Sequence, residues 1–289
     1  MKSSIFLLGF VTVSLLKSII PNIFVKILFM EDIYIGLLIA FISFGASTLT
    51  FFSGFGLGTM LLPVFCLFMP VELAVLSTAL VHILNNFLKF ILIRKSIDSS
   101  VLMSFGISAV IAAFIGAILQ SYIGEGLVAY TINFFSEVHQ VDALSLVIGV
   151  LMIVFAILDF IPWSRKLTFE KNLFATGGFL SGFFGGLSGH QGALRAAFLS
   201  KANLSAEVFI STSVCLSLLI DVVRIPVYFV SNDNSIEMYW KTILLACIFA
   251  FLGSYFGKKM FTKKKVKNVR FIVASFLLVM GFGMVVGLI

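Results

Sequence analysis

Residues 181–192 read Ser181-Gly182-Phe183-Phe184-Gly185-Gly186-Leu187-Ser188-Gly189-His190-Gln191-Gly192, within an apolar stretch, 172–200, that has bases at both ends: Arg165, Lys166 and Lys171 before it, Lys201 after it. A single crossing would put those ends on opposite faces of a membrane, whereas Lys and Arg collect on the cytoplasmic face. Two full crossings need about 40 residues, more than the stretch contains. A re-entrant pair of half-helices satisfies both constraints, entering and leaving through one face and unwound at the glycines. An earlier stretch, 34–69, has the same form. It is broken at Ser53-Gly54-Phe55-Gly56-Leu57-Gly58-Thr59, with Pro63 beyond, but its flanks are acidic: Glu31 and Asp32 before, Glu72 after. It is expected to dip in from the external face. Irregular backbone survives at membrane depth only where protein or a water-filled cavity satisfies its polar groups, so both breaks point to a cavity.

That the surrounding solvent is lipid follows from composition. Of 289 residues, 60% are hydrophobic and 11% charged, against about 45–50% and about 25% in soluble domains. A soluble globular domain, a disordered chain, a collagen and a coiled coil are all excluded. Apolar segments near the spanning length of about 20 residues recur at 73–93, 101–123, 143–161, 206–230, 241–257 and 271–289. The loops sort by sign. Arg94 and Lys95, the bases flanking 172–200, and the run Lys258, Lys259, Lys263, Lys264, Lys265, Lys267, Arg270 form one set. Glu31, Asp32, Glu72, Glu125, Glu137, Asp142, Asp233 and Glu237 form the other, with Lys241 as its one base. The basic set is expected in the cytoplasm and the C-terminus outside. The run 258–270 reads as an attraction to anionic lipid headgroups. Nucleic acid is set aside, because no aromatic or folded recognition module accompanies the run.

The halves repeat. Glu72 aligns with Glu207, Ser77 with Thr212, Asn86 with Asp221 and Lys89 with Arg224, each pair 135 residues apart; Phe52-Ser53-Gly54-Phe55 aligns with Leu180-Ser181-Gly182-Phe183. The signs of corresponding loops are opposite, so the copies are expected to be inverted in the membrane, the construction of many secondary transporters. The expected fold is an all-α polytopic membrane protein of two inverted-topology repeats, each a broken, re-entrant helix pair plus three transmembrane helices. Residues 31–162 form repeat 1 and 163–289 repeat 2. Residues 1–30 are an extension, read as an extra crossing or an interfacial helix; they resemble a signal peptide without its small-residue cleavage site.

Discontinuous helices place their free N–H groups and positive dipole ends at the midplane, where they suit a small oxyanion. The candidate binding residues are therefore Ser53, Gly54, Gly56, Gly58 and Thr59 in the first break, and Ser181, Gly182, Gly185, Gly186, Ser188, His190, Gln191 and Arg195 in the second. The rival reading of the glycines is close helix packing. Arg195 is the leading charge partner, since a guanidinium binds an oxyanion bidentately. His82, Asn85, Asn86 and Lys89 recur on one face of a helix, with Asp221 and Arg224 on the matching face of the repeat partner. These six are candidates for the pathway or its gates. Lys89 reads equally as a cation snorkelling to the nearer surface, and Arg224 either as another or as the ion-pair partner of Asp221, three residues before it. Asp159 is expected to be interfacial. Cys66, Cys215 and Cys247 form no metal or disulfide pattern, and the histidines at 82, 139 and 190 are too scattered for zinc. No cofactor is implied.

The pattern Ser53-Gly54-Phe55-Gly56-Leu57-Gly58-Thr59…Pro63, followed by Pro70-Val71-Glu72-Leu73-Ala74, resembles the TauE/SafE sulfite exporter family, also called the toluene sulfonate uptake permeases or DUF81; Gly177-Gly178-Phe179-Leu180-Ser181-Gly182 through Gly186 and Gly189 is similar to its second motif. That motif often continues to a proline, where this chain has Ala193-Leu194-Arg195-Ala196-Ala197. The resemblance covers roughly 31–289. It implies a secondary transporter of sulfite, an organosulfonate or a related sulfur-containing acid in a bacterial inner membrane, with a coupling proton or ion as a possible partner. A passive anion channel using the same half-helix ends is the alternative. An enzyme is not expected, as no nucleophile–base or metal constellation is present.

Overall fold

The structure, a computed structural model, describes residues 34–51, 56–93, 97–124, 126–134, 137–161, 170–199, 202, 204–231, 235–260 and 266–289. Residues 1–30, Ser53, Gly54, the loop bases Arg94, Lys95, Arg165, Lys166, Lys201 and Lys263 to Lys265, the acids Glu31, Asp32, Glu125 and Asp233, and the side chains of Glu137, Asp159, Lys171, Lys267 and Arg270 lie outside what is described.

The described residues are mostly helical. The first half runs α1 (Tyr34–Thr50), α2 (Leu57–Phe65), α3 (Val71–Ile93), α4 (Ser99–Ile123) and α5 (Ala143–Phe160). The second runs α6 (Phe174–Ser188), α7 (Gly192–Leu199), α8 (Ala206–Ser231), α9 (Trp240–Met260) and α10 (Val266–Val285). Helix α1 ends at Thr50 and α2 begins after Gly56, and the second stretch is interrupted at 189–191. Gly58 and Thr59 lie within α2, and Ser181, Gly182, Gly185, Gly186 and Ser188 lie within α6 rather than in unwound backbone, because the glycines there let α6 continue as a helix against α4. Val71–Ile93, Ser99–Ile123, Ala206–Ser231 and Ile236–Lys259 are long and apolar enough to cross a membrane, and Tyr34–Thr50, Ala143–Leu158 and Val273–Val285 are shorter apolar helices. The protein is an integral membrane protein. Its exterior agrees: Met103, Ile107, Ile111, Phe114 and Ile118 line an exposed apolar flank of α4, a face that only lipid would solvate without penalty.

The loop between the apolar segments 101–123 and 143–161 contains two strands, β1 (Val128–Phe134) pairing antiparallel with β2 (Glu137–Asp142). Val128, Thr131 and Ile132 are β-branched, which suits a pleated surface. The hairpin is held onto the end of α10, where Tyr130 Oη donates to the Val285 carbonyl and Val141 is buried. Charge patterning located this loop but carried no information about its conformation.

Small residues set how the helices pair. A Cβ added at Gly178, Gly182 or Gly186 of α6 would fall 2.1, 2.0 and 2.1 Å from the carbonyl oxygens of Phe105, Ala109 and Ala113 of α4. Both series step by four residues, so the two backbones touch along three turns, as small-residue stripes permit in lipid. Helix α9 meets α1 the same way, with Gly253 and Gly257 against the carbonyls of Phe44 and Thr48. Gly149 of α5 and Gly281 of α10 lie against each other's carbonyls. Helix α3 packs on α8, α4 on α8 and α3 on α9. Exchanging α1–α5 for α6–α10 maps this set onto itself: α4–α6 becomes α9–α1, α4–α8 becomes α9–α3, and α3–α8 and α5–α10 return themselves.

Candidate functional site

Both breaks are built on a glycine with a left-handed backbone. Gly56, the N-cap of α2, has φ 112°, and Gly189, which ends α6, has φ 80°. L-residues avoid this region, which glycine enters freely. Gly56 is doubly constrained, since a Cβ there would fall 2.7 Å from Thr50 Cγ2.

The two breaks meet. A Cβ built on Gly58 would lie 3.9 Å from the carbonyl oxygen of Gly189, 3.8 Å from His82 Cδ2 and 3.6 Å from Thr78 Cγ2. The start of α2, the end of α6 and one face of α3 thus converge, close enough that a single added methyl group at Gly58 would bridge all three. Thr59, next to Gly58, is half-buried.

Around that point lies a polar network in an apolar interior. His82 Nδ1–H donates to Asp221 Oδ2 at 2.6 Å, joining α3 to α8. The other carboxylate oxygen, Oδ1, accepts from Arg224 Nε at 2.9 Å and Nη2 at 2.8 Å, and from Gln191 Nε2 at 3.3 Å. Gln191 Oε1 accepts from Arg195 Nη1 at 3.1 Å. Arg224 Nη1 donates to the Gly185 carbonyl at 2.8 Å, and Tyr228 Oη to that of Gly186. Asn86 Nδ2 approaches the His82 ring nitrogens at 3.1 Å; with Nδ1–H committed to Asp221, Nε2 is its acceptor. Asp221, Arg195 and Arg224 are at most 1% exposed. Burying a carboxylate and a guanidinium is tolerable only when they are paired and hydrogen-bonded, and the fork of Arg224 on one carboxylate supplies both. The side chains of Lys89 and Arg224 do not snorkel: Lys89 is 5% exposed.

The second break is laced internally. Ser181 Oγ donates to the Gln191 carbonyl at 2.8 Å, clasping α6 to the chain beyond Gly189. Ser188 Oγ donates to the Phe184 carbonyl at 3.1 Å. His190 stacks on Phe155 at 5.4 Å between centroids and places Nδ1 3.1 Å from both the carbonyl and Oγ of Ser188. Its Nε2 is buried and has no hydrogen-bond partner among the described residues, as is the case for Thr78 Oγ1.

The structure thus brings together Gly56, Gly58, Gly185, His190, Gln191, Arg195, His82, Asn86, Asp221 and Arg224. It sets others apart. Gly182 and Gly186 face the backbone of α4, where their small size serves packing; the packing reading of the glycines holds at these two. Asn85 points out of the group: its Oδ1 accepts from Ser254 Oγ at 2.7 Å and Ser47 Oγ at 3.3 Å, tying α3 to α9 and α1. Thr78 and Tyr228 were missed. Thr78 precedes His82 by four residues on the same helix face and so carried a legible signal. Tyr228 stands four after Arg224, but nothing in the sequence marked its reach to Gly186.

The profile of the sulfite exporter TauE/SafE family matches residues 39–284, a span that includes both breaks and every residue of the network. The chain belongs to that family. No curated protein and no solved structure matches it. As a member of the TauE/SafE family it is a membrane transport protein, and the site just described is the one place where the described residues gather buried charge around discontinuous helices.

Proposed function

We propose that this TauE/SafE protein is a secondary carrier of a small sulfur-containing anion, sulfite or an organosulfonate, bound where the two glycine breaks meet. The approach of Gly58 to Gly189, whose carbonyl oxygen lies 3.9 Å from where a Cβ on Gly58 would sit, carries this reading. It puts a helix start, the buried hydroxyl of Thr78, and the cationic side chains of Arg195 and Arg224 in one neighbourhood. Helix N-termini and preorganised donors recognise oxyanions, and arginine adds bidentate charge. His82 and Asp221 then form a latch between the halves, the element that alternating access would open and close.

The halves are inverted repeats in this reading. The exchange-closed set of helix pairings supports it, together with the alternating sign of the loops. The basic loops face the cytoplasm of a bacterial inner membrane and the C-terminus lies outside. Labelled sulfite, sulfoacetate and thiosulfate, offered to proteoliposomes, test the substrate class. Counterflow is the decisive format, because a carrier exchanges labelled for unlabelled anion and a channel does not. Transport of none of the three would sink the substrate assignment.

A further inference from the structure

His190 carries an unused lone pair. It directly follows Gly189, at the interruption between α6 and α7, and its ring lies flat on Phe155 of α5, 5.4 Å between centroids and 5° between planes. Nδ1 stands 3.1 Å from the Ser188 carbonyl oxygen and 3.1 Å from Ser188 Oγ. The carbonyl can only accept, and Oγ already gives its proton to the Phe184 carbonyl. Nδ1 is therefore the protonated nitrogen and Nε2 the acceptor. Yet Nε2 is buried with no hydrogen-bond partner among the described residues. The other ionisable groups of the network are engaged. Asp221 of α8 is bonded to His82, Arg224 and Gln191, and Arg224 also to the Gly185 carbonyl. His82 of α3 is bonded to Asp221 and Asn86, Arg195 of α7 to Gln191, and Tyr228 of α8 to the Gly186 carbonyl. Helices α4 and α6 carry no charged residue. Helix α5 presents Phe155 to the ring, and the side chain of its acid, Asp159, lies outside what is described.

A buried acceptor left unmade is costly, and a phenylalanine would stack on Phe155 without that cost. Histidine is also the side chain whose charge changes near neutral pH, and ionisable groups at membrane depth mark ion pathways. We propose that His190 Nε2 takes up a proton that travels with the anion, so that the protein is a proton–anion symporter with His190 as its proton site. This rests on the carrier reading and names its coupling ion. The proton bonds to the Nε2 lone pair while Nδ1–H keeps its bond to Ser188. The imidazolium returns the proton to water on the other side as the anion leaves. Coupling comes from the charges nearby. Arg224 Nη1 lies 3.2 Å from where a Cβ on Gly189 would sit, and Arg195 and Arg224 together outnumber Asp221. The network is thus net positive before a ligand arrives, and a further charge on the residue next to Gly189 is unfavourable. An anion seated where Gly58 approaches Gly189 offsets that field and attracts the proton. Each therefore favours the binding of the other, by the same factor in either order.

The test uses full-length protein. Thiosulfate and sulfoacetate are the flux probes, because both hold their charge near neutral pH and so carry no titrating proton of their own. In proteoliposomes enclosing a pH-sensitive dye, an inward gradient of either anion should acidify the lumen of wild-type vesicles in proportion to the anion taken up. In His190→Gln the protons moved per anion should fall to background. Nitrogen NMR of the purified protein reads the site directly, because the chain has three histidines, at 82, 139 and 190, and replacing them one at a time assigns the signals. Nε2 of His190 should be unprotonated at neutral pH without anion, and protonated once sulfite or thiosulfate is added at constant pH. Proton movement that persists in His190→Gln overturns the proposal. So does an Nε2 that stays unprotonated at saturating anion down to mildly acidic pH, which marks a structural histidine bonded by water. Should His190→Gln exchange no anion at all, the NMR measurement on wild type decides. Wild-type counterflow without proton movement also overturns the proposal and leaves the carrier reading standing. Wild type that exchanges neither probe nor sulfite removes the carrier reading itself, and the proposal with it.

Discussion

His82 and Asp221 belong to different halves of the chain, yet His82 Nδ1 and Asp221 Oδ2 lie 2.6 Å apart in the interior. The same carboxylate holds Arg224 and, through Gln191, reaches Arg195. One acid therefore ties α3, α8, the second break and α7 into a single unit, and its removal should be felt at all of them.

Asp221→Asn leaves the Arg224 guanidinium buried without a carboxylate, and breaking a buried pair costs about 3–5 kcal/mol. His82→Gln keeps a side chain able to donate and should cost only about 1 kcal/mol, the scale of one ordinary hydrogen bond. Thermal unfolding in detergent should rank Asp221→Asn well below His82→Gln. Equal loss in the two would show that Arg224 does not depend on the carboxylate.

The α4–α6 contact predicts a steric threshold. At Gly182 a Cβ would sit 2.0 Å from the Ala109 carbonyl, so Gly182→Ala must push two helices apart and should cost about 1–3 kcal/mol or more. Gly45, on α1, has nothing within 4 Å of its added Cβ. Gly45→Ala should be neutral or stabilising by up to about 1 kcal/mol. Size-exclusion profiles and Tm values of the two variants give the comparison, and a Gly182→Ala variant as stable as wild type contradicts the packing described.

Thr78→Val removes a buried hydroxyl that has no hydrogen-bond partner among the described residues. The exchange is close to isosteric, so stability should hold or rise slightly. Sulfite exchange should nevertheless fall several-fold if the hydroxyl faces the anion where the breaks meet. Arg195→Gln should lower exchange about 10- to 100-fold, the range for losing one charge-assisted contact. A Thr78→Val carrier with wild-type exchange would place the anion away from α3.

Orientation is open to direct measurement. A cysteine introduced at Asp233 should react with a membrane-impermeant thiol reagent added outside the cell, and one at Lys264 only after the membrane is permeabilised. Reaction of both from the same side would refute the inverted arrangement, whatever becomes of the substrate.

Much of this architecture was legible along the chain. Hydropathy marked α3, α4, α5, α8, α9 and α10 to within a few residues, because a helix in lipid must be apolar over a length that the bilayer dictates. The breaks at Gly56 and Gly189 were legible for a related reason: glycine clusters between like-signed flanks leave room for no continuous span. The ion pair of Asp221 and Arg224 was also visible, since residues three apart share a helix face. The hairpin at 128–142 was not visible, because loop charge reports a side of the membrane and says nothing about strand pairing.

The sequence by itself determined the solvent, the spans, the two breaks and the family. Each is a local property, decided over twenty residues or fewer by what lipid tolerates or by a glycine motif. Only the tertiary structure decided that Gly58 approaches Gly189, that His82 reaches Asp221, that Gly182 and Gly186 serve packing while Asn85 turns toward Ser47 and Ser254, and that Lys89 is buried beside Phe51. Helical periodicity says which residues share a face but not which face meets which neighbour. That choice depends on how closely distant backbones approach. Here the approach is set by Gly178, Gly182 and Gly186 seated on the carbonyls of α4, more than sixty residues away in the chain.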